Sequence, residues 1–448
     1  MTQSNNAAAF LGLDGTPYSL VTELMAAGVM PNLKGLLGSG RLMRMETTVP
    51  EVSSVAWTSF ITGVNPGRHG IYGFMDLKPG GYRMYFPNSG HTKAKTLWDR
   101  LTDAGRPSVV LNVPQTYPAR PLNGVLTAGF VALDLKKATY PASAYEYLSG
   151  MGYRIDVDTV KARESMDVFV DDLRLTLARR REAILHYLDA EKSGVPWDLF
   201  IGVVTETDRL HHFLWSAYVD KSSPYHGFFL DFYRDIDAFI GEFAGRLAEL
   251  RPGTPLVIMS DHGFTHCEQE VFVNSWLREN GYLKLAKSPA QSWEDIAPGT
   301  AAFALDPSRI YINRKGRYES GSVDDADRAR LMDEIATGLM ELKIDGRPVL
   351  RAVKRKEELY TGPCAPEAPD LVLLSNYGFD LKGSISKSVL HEKGFLTGMH
   401  TQDDAMLYIS GPAPSGKAVE RPTILDASAT VAGFLGLDGA EFEGRRLG

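Results

Sequence analysis

The run Leu256-Val257-Ile258-Met259-Ser260-Asp261-His262-Gly263 constrains this chain more than any other stretch. Four consecutive apolar residues without polar alternation read as a strand buried on both faces, the pattern of a parallel sheet. Open parallel sheets collect their ligands at the carboxyl ends of their strands. A carboxylate and an imidazole placed there together can share one cation. A lone Asp-His-Gly is equally a polar loop after a core strand, so the other strand ends decide.

Ala7 to Leu13 is apolar, Asp14-Gly15-Thr16-Pro17 breaks it, and Leu20, Leu24 and Met25 recur at helical spacing, with Pro17 suited to the first helical position. Further candidate strands are Ser108 to Val113, Leu199 to Val204, Leu371 to Leu374 and Met406 to Ile409. Between them lie helical stretches such as Val168 to Leu188, and Phe232 to Leu250 with its apolar stripe Phe232, Ile236, Phe239, Phe243 and Leu247. This alternation predicts an α/β fold in three layers, α/β/α, around a mainly parallel central sheet. Residues 268 to 365 are richer in Gly, Pro and charge, with a strand at Arg309 to Asn313 and a helix from Asp324 to Leu342. They are expected to form an inserted cap subdomain on a core made of residues 1–267 and 366–448. No GxGxxG follows the first strand, so a dinucleotide site is not indicated.

The 448 residues are 44% hydrophobic and 23% charged, with a net charge of −7. An acidic chain is a poor partner for nucleic acid, and none is expected. Two cysteines, Cys267 and Cys364, cannot make a disulfide framework. No apolar run reaches the roughly 18 residues of a membrane span, and no signal-peptide pattern opens the chain. The expected location is therefore cytoplasmic, without membrane attachment; the oligomeric state, a homodimer included, is not fixed.

Several ligand-type residues follow the strands. Asp14 comes directly after the first and can either project from the sheet edge or cap the next helix. In Thr205-Glu206-Thr207-Asp208-Arg209-Leu210-His211-His212, Asp208 and His212 are one helical turn apart and share a face, which suits two ligands of one metal; His211 points elsewhere. His400 stands in Gly398-Met399-His400, just before the last strand. Asp14, Asp208, His212, Asp261, His262 and His400 together suit two ions, and the mixed Asp/His set suits zinc or manganese better than calcium. In Glu51-Val52-Ser53-Ser54-Val55-Ala56-Trp57, a hydroxyl stands at the mouth of a predicted helix. Free backbone N–H groups there favour a bound phosphate, and a metal ion would activate the hydroxyl. A simple N-capping role for Ser53 or Ser54 is the alternative.

Taken in order, LGLDGTP, VPEVSSVAWTSFITGVNPGRHGIYGF, TETDRLHH, SDHGF and GMH resemble the alkaline phosphatase superfamily, and within it the type I phosphodiesterase and nucleotide pyrophosphatase branch. The resemblance runs from Asp14 to His400 and on to the Ile424-Leu425-Asp426 and Gly444-Arg445-Arg446-Leu447 tail. It implies that Asp14, Ser53, Asp261 and His262 hold the metal ion that carries the nucleophile, and that Asp208, His212 and His400 hold a second. Ser53 is the implied nucleophile because it stands nine residues before Thr62-Gly63, where many branch members carry Thr. Nucleotide pyrophosphatases carry an oxyanion-donating Asn three residues after His-Gly-Ile, and here that position is Phe74. Arg68, His69, Lys93 and Lys95 are candidate substrate contacts.

The implied reaction is hydrolysis of a small soluble phosphodiester by two in-line displacements through a phosphoseryl intermediate at a two-metal site, most simply with Zn2+. Phosphomonoester or phosphonate hydrolysis would use the same apparatus. The sequence lacks the Cys-x-Pro-x-Arg of sulfatases and the large insertion of the independent phosphoglycerate mutases. A non-catalytic, metal-stabilised binding protein is the reading from another class.

Overall fold

The computed structural model describes residues 6–411 and 419–447. An eight-stranded sheet forms its centre. Its spatial order is Gly40–Met45, Ala405–Ser410, Leu256–Met259, Ala8–Leu13, Leu199–Val204, Ser108–Val113, Gly124–Ala128 and Thr139–Tyr140. The five strands from Leu256–Met259 to Gly124–Ala128 are mutually parallel, while Ala405–Ser410 and Thr139–Tyr140 run antiparallel to their neighbours. The Ala8–Leu13, Leu199–Val204 and Leu256–Met259 strands are buried throughout, as expected for strands covered on both faces.

Two apolar cores flank the sheet and make the three layers. One side packs Phe10 and Val257 against the Ser53–Thr62 and Ile424–Phe434 helices. The other packs Leu11 and Ile258 against the Met166–Leu188 and His226–Leu250 helices. The stripe from Phe232 to Leu247 is buried there. No helix of the described residues is long and apolar enough to cross a membrane.

The strand Leu371–Ser375 does not join the central sheet. It lies between Arg309–Ile312 and Leu350–Arg355 in an antiparallel four-stranded sheet completed by Ala302–Leu305. That sheet has its own apolar core, closed by the Asp325–Met340 helix. An apolar run states that a strand is buried but not which sheet buries it, so residues on both sides of position 365 build this second sheet. Pro17 stands just before the first helix, which begins at Tyr18.

Candidate active site

Register places the site. Leu13 is level with Val204, and Gly12 with Met259, so three neighbouring parallel strands end together. Asp14 follows the first. The second leads into the Glu206–Val219 helix, whose opening turn carries Asp208 and whose next carries His212. The third leads to Asp261 and His262. His400 arrives from the Gly398–Thr401 strand, which pairs antiparallel with Gly263–His266 and sets His400 opposite Phe264. All six ligand-type side chains thus meet at one sheet edge.

Each carboxylate has one oxygen tethered and one turned inward. Asp14 Oδ2 accepts from the Trp57 indole at 2.9 Å, Asp261 Oδ1 from the Gly15 amide at 3.0 Å, and Asp208 Oδ2 from Arg209 Nη1 at 3.0 Å. Gly12 allows the first tether, because a Cβ there would lie 2.6 Å from the Trp57 ring. Gly15 makes its turn at φ +64°, a conformation glycine adopts without strain. The inward oxygens Asp14 Oδ1 and Asp261 Oδ2 lie 3.6 and 3.5 Å from His262 Nε2. Asp208 Oδ1 lies 3.2 Å from His400 Nε2 and 3.4 Å from His212 Nε2. Asp208 Oδ1 and Asp261 Oδ2 are buried without a hydrogen-bond partner. Anionic oxygens left in that state call for a cation.

The histidines follow one rule. Nδ1 of His262 faces the Gly263 carbonyl at 3.0 Å, that of His212 the Gly398 carbonyl at 3.3 Å, and that of His400 the Glu51 carbonyl at 2.9 Å. A carbonyl only accepts, so each Nδ1 carries a proton and each Nε2 is the atom turned toward a metal position. The Nε2 atoms of His212 and His400 face each other at 3.0 Å. Asp14, Asp261 and His262 form one ligand-forming group, and Asp208, His262 and His400 another, each with its donor atoms within 4.8 Å of one another. The donor set therefore fits two adjacent divalent cations.

Ser53 is the first residue of the Ser53–Thr62 helix, with Val52 as N-cap and no capping hydrogen bond from any side chain. The capping role is thus not the one it takes. Its Oγ lies 3.2 Å from His262 Nε2 and 3.4 Å from Asp14 Oδ1, and the residue is 6% exposed. A hydroxyl beside the inward-turned donors, at a helix N-terminus, is placed where phosphoryl chemistry could use it.

Electrostatics follow from burial. Burial, then the Asp261 and Asp208 charges, push Asp14 well above the usual carboxylate range. Burial likewise pushes Asp261 up to about 7. Burial also raises Asp208, but the His212 and His400 imidazoles and Arg209 outweigh it and hold that carboxyl well below its ordinary value. Burial, then His400, bring His262 down to about 4, keeping its ring neutral and its lone pair free.

The four candidate substrate contacts stand elsewhere. His69 is fully buried, with Nε2 2.9 Å from Ser59 Oγ and Nδ1 accepting from the Ile71 amide. Arg68 pairs with Glu443 at 3.5 Å and Lys95 with Asp103 at 2.7 Å, both largely exposed. Lys93 is exposed, with its amide bonded to the His69 carbonyl. None of them lines the cavity at Ser53, whose walls are Asp14, Asp208, His212, His400, Phe74 and the unanticipated Arg209 and Phe130 among others. The sequence offered a signal for Arg209 only in its place beside Asp208. Trp57 carried a weak one, one turn after Ser53.

Residues 8–403 match the family described as type I phosphodiesterase / nucleotide pyrophosphatase. No functionally curated protein matches the chain. Among solved structures, the fold is similar to murine ectonucleotide pyrophosphatase / phosphodiesterase 5 (TM-score 0.57, 15% identity, 98% of this chain and 97% of that one). It is also similar to phosphonoacetate hydrolase from Sinorhizobium meliloti 1021 in complex with phosphonoacetate (TM-score 0.61, 17% identity, 96% of each chain). The chain belongs to the type I phosphodiesterase / nucleotide pyrophosphatase family, a phosphoester hydrolase on the alkaline phosphatase fold.

Proposed function

We propose that this phosphodiesterase acts on a small soluble diester with Ser53 as nucleophile. The observation that carries the reading is Ser53 Oγ at 3.2 Å from His262 Nε2, at a helix N-terminus and beside the inward-turned Asp14 oxygen. Asp14, Asp261, His262 and Ser53 would hold one divalent ion and Asp208, His212 and His400 another, zinc before manganese, supplying Lewis-acid stabilisation of the charge on the phosphoryl and departing oxygens. Ser53 Oγ gives its proton to solvent and attacks phosphorus, while the bond from phosphorus to the ester oxygen breaks on the opposite side and that oxygen takes a proton from solvent to leave as the alcohol. Water then attacks phosphorus from the vacated side and returns Ser53. The carbonyls that accept from Nδ1 of His262, His212 and His400 fix the three rings so that each Nε2 faces the inward-turned carboxylate oxygens.

A cleft of about 370 Å³ adjoins His212 and His400 and is lined largely by apolar groups, including Phe74, Phe86, Phe130, Leu381 and Met399. Such a wall favours an ester whose alcohol is apolar. A phosphonate or phosphomonoester is the second reading, favoured by Phe74 standing where nucleotide pyrophosphatases carry Asn. A cytoplasmic location, tested by cell fractionation, is part of the proposal.

The test is kcat/KM for matched aryl phosphodiester, monoester and phosphonate substrates, with metal content measured on the same samples. The diester is expected to be preferred, and turnover should vanish on chelation and in Ser53→Ala. Full activity in either of those states overturns the mechanism; preference for the phosphonate or monoester selects the second reading.

A further inference from the structure

We propose that Arg209 is the group that holds the phosphoryl oxygens in this active site, fixed for that task by Asp156. This rests on Ser53 as nucleophile of the same cavity and adds the donor that the Phe74 position does not supply. Among the described side chains lining that cavity, Arg209 alone carries a permanent positive charge.

Its guanidinium is held on two sides. Nε lies 3.1 and 3.2 Å from the two Asp156 oxygens and Nη2 lies 2.6 Å from Oδ2, a fork-to-carboxylate pairing. Nη1 donates to Asp208 Oδ2 at 3.0 Å. Of five N–H groups, one on each terminal nitrogen is left for a third acceptor. The side chain is only 12% exposed, so that acceptor must come from the cavity. The guanidinium lies 4.4 Å from the centre of the Phe130 ring, and Phe130 meets Phe74 edge to face at 5.1 Å. Phe74 therefore props the ring that covers Arg209, and a planar cation takes the place of a neutral amide. Such a pre-oriented donor is worth most where charge develops on phosphoryl oxygens in a water-poor cavity.

Inorganic phosphate binding, measured by calorimetry on metal-loaded protein, tests this without turnover. Asp156→Asn leaves every metal ligand in place and should weaken phosphate binding about tenfold, at unchanged metal content. Arg209→Met should weaken it by about a hundredfold, and adding Phe74→Asn to Arg209→Met should recover part of that loss. Phosphate affinity equal to the parent's in both single variants overturns the proposal. So does loss of metal from Asp156→Asn in proportion to loss of phosphate, which would assign Arg209 to Asp208 alone. Ser53→Ala separates the two readings: turnover surviving it overturns the nucleophile, while phosphate affinity in that background still reports on Arg209.

Discussion

Trp57 donates its indole N–H to Asp14 Oδ2 at 2.9 Å from one turn beyond Ser53 on the same helix. The helix that presents Ser53 therefore also aims the first carboxylate. The indole reaches across Gly12, and its ring meets Phe10 and Phe60 edge to face. Trp57→Phe should keep most of the packing but release Asp14, weakening metal binding by roughly tenfold, the low end for loss of a group that orients a metal ligand. Titration of the metal-free variant with zinc, followed by calorimetry, measures this; unchanged affinity would show that Asp14 is held well enough by its backbone.

The two proposed metal positions should respond differently to two neighbouring residues. Asp261 turns its free oxygen toward His262, whereas His262 Nε2 lies within 4.0 Å of Asp14, Asp261 and Asp208 alike. Asp261→Asn is expected to empty mainly the position beside Ser53, leaving about one ion per chain. His262→Ala, at the junction, should deplete both. Metal analysis of the purified variants distinguishes them, and equal depletion by Asp261→Asn would overturn the division of ligands.

Acid sensitivity should come in part from His69. Burial lowers its imidazole to about 3, so the folded protein holds it neutral where the unfolded chain would protonate it. The stabilisation is fully present above pH 6.5 and is lost as the pH falls from 6.5 toward 3. At pH 5 the loss amounts to about 2 kcal/mol. His69→Gln should be less stable than the parent at pH 7.5 yet show a shallower decline of Tm between pH 6.5 and 4. Parallel Tm profiles would remove His69 as the cause.

The helix bearing Asp208 and His212 is anchored by a fully buried ion pair, Arg180 Nη2 to Glu206 Oε1 at 3.0 Å. Arg180 also bonds Tyr153 and the Ile155 carbonyl at 2.7 Å. Arg180→Met strands a buried carboxylate and should cost about 3–5 kcal/mol. Arg180→Met combined with Glu206→Gln should recover much of that, because no charge is then left unpaired. Chemical denaturation of the three proteins checks the cycle; equal losses in the single and double variants would count against the stranded charge.

Local pattern settled much of this protein before any contact was known. Buried strands show as unbroken apolar runs, and a ligand directly after such a run has little freedom about where it ends up, which is why Asp14, Asp261 and His262 were legible. Asp208 and His212 were legible because four residues make one helical turn. His400 is different: only the antiparallel pairing of Gly398–Thr401 with Gly263–His266 brings it within 3.0 Å of His212 Nε2.

Tertiary structure alone decided the rest. The composition of Leu371–Ser375 is that of a core strand, but register and neighbours assign it to the second sheet. His69, Arg68, Lys93 and Lys95 carry suitable chemistry near Ser53 in sequence, yet the Pro66–His69 turn leads the chain away from the cavity and spends them on burial, ion pairs and solvent. Arg209 and Trp57 matter through partners 53 and 43 residues away. Sequence spacing fixes which side chains share a face or a strand end; which distant carboxylate a guanidinium or indole will meet depends on packing, and so appears only once the layers are closed.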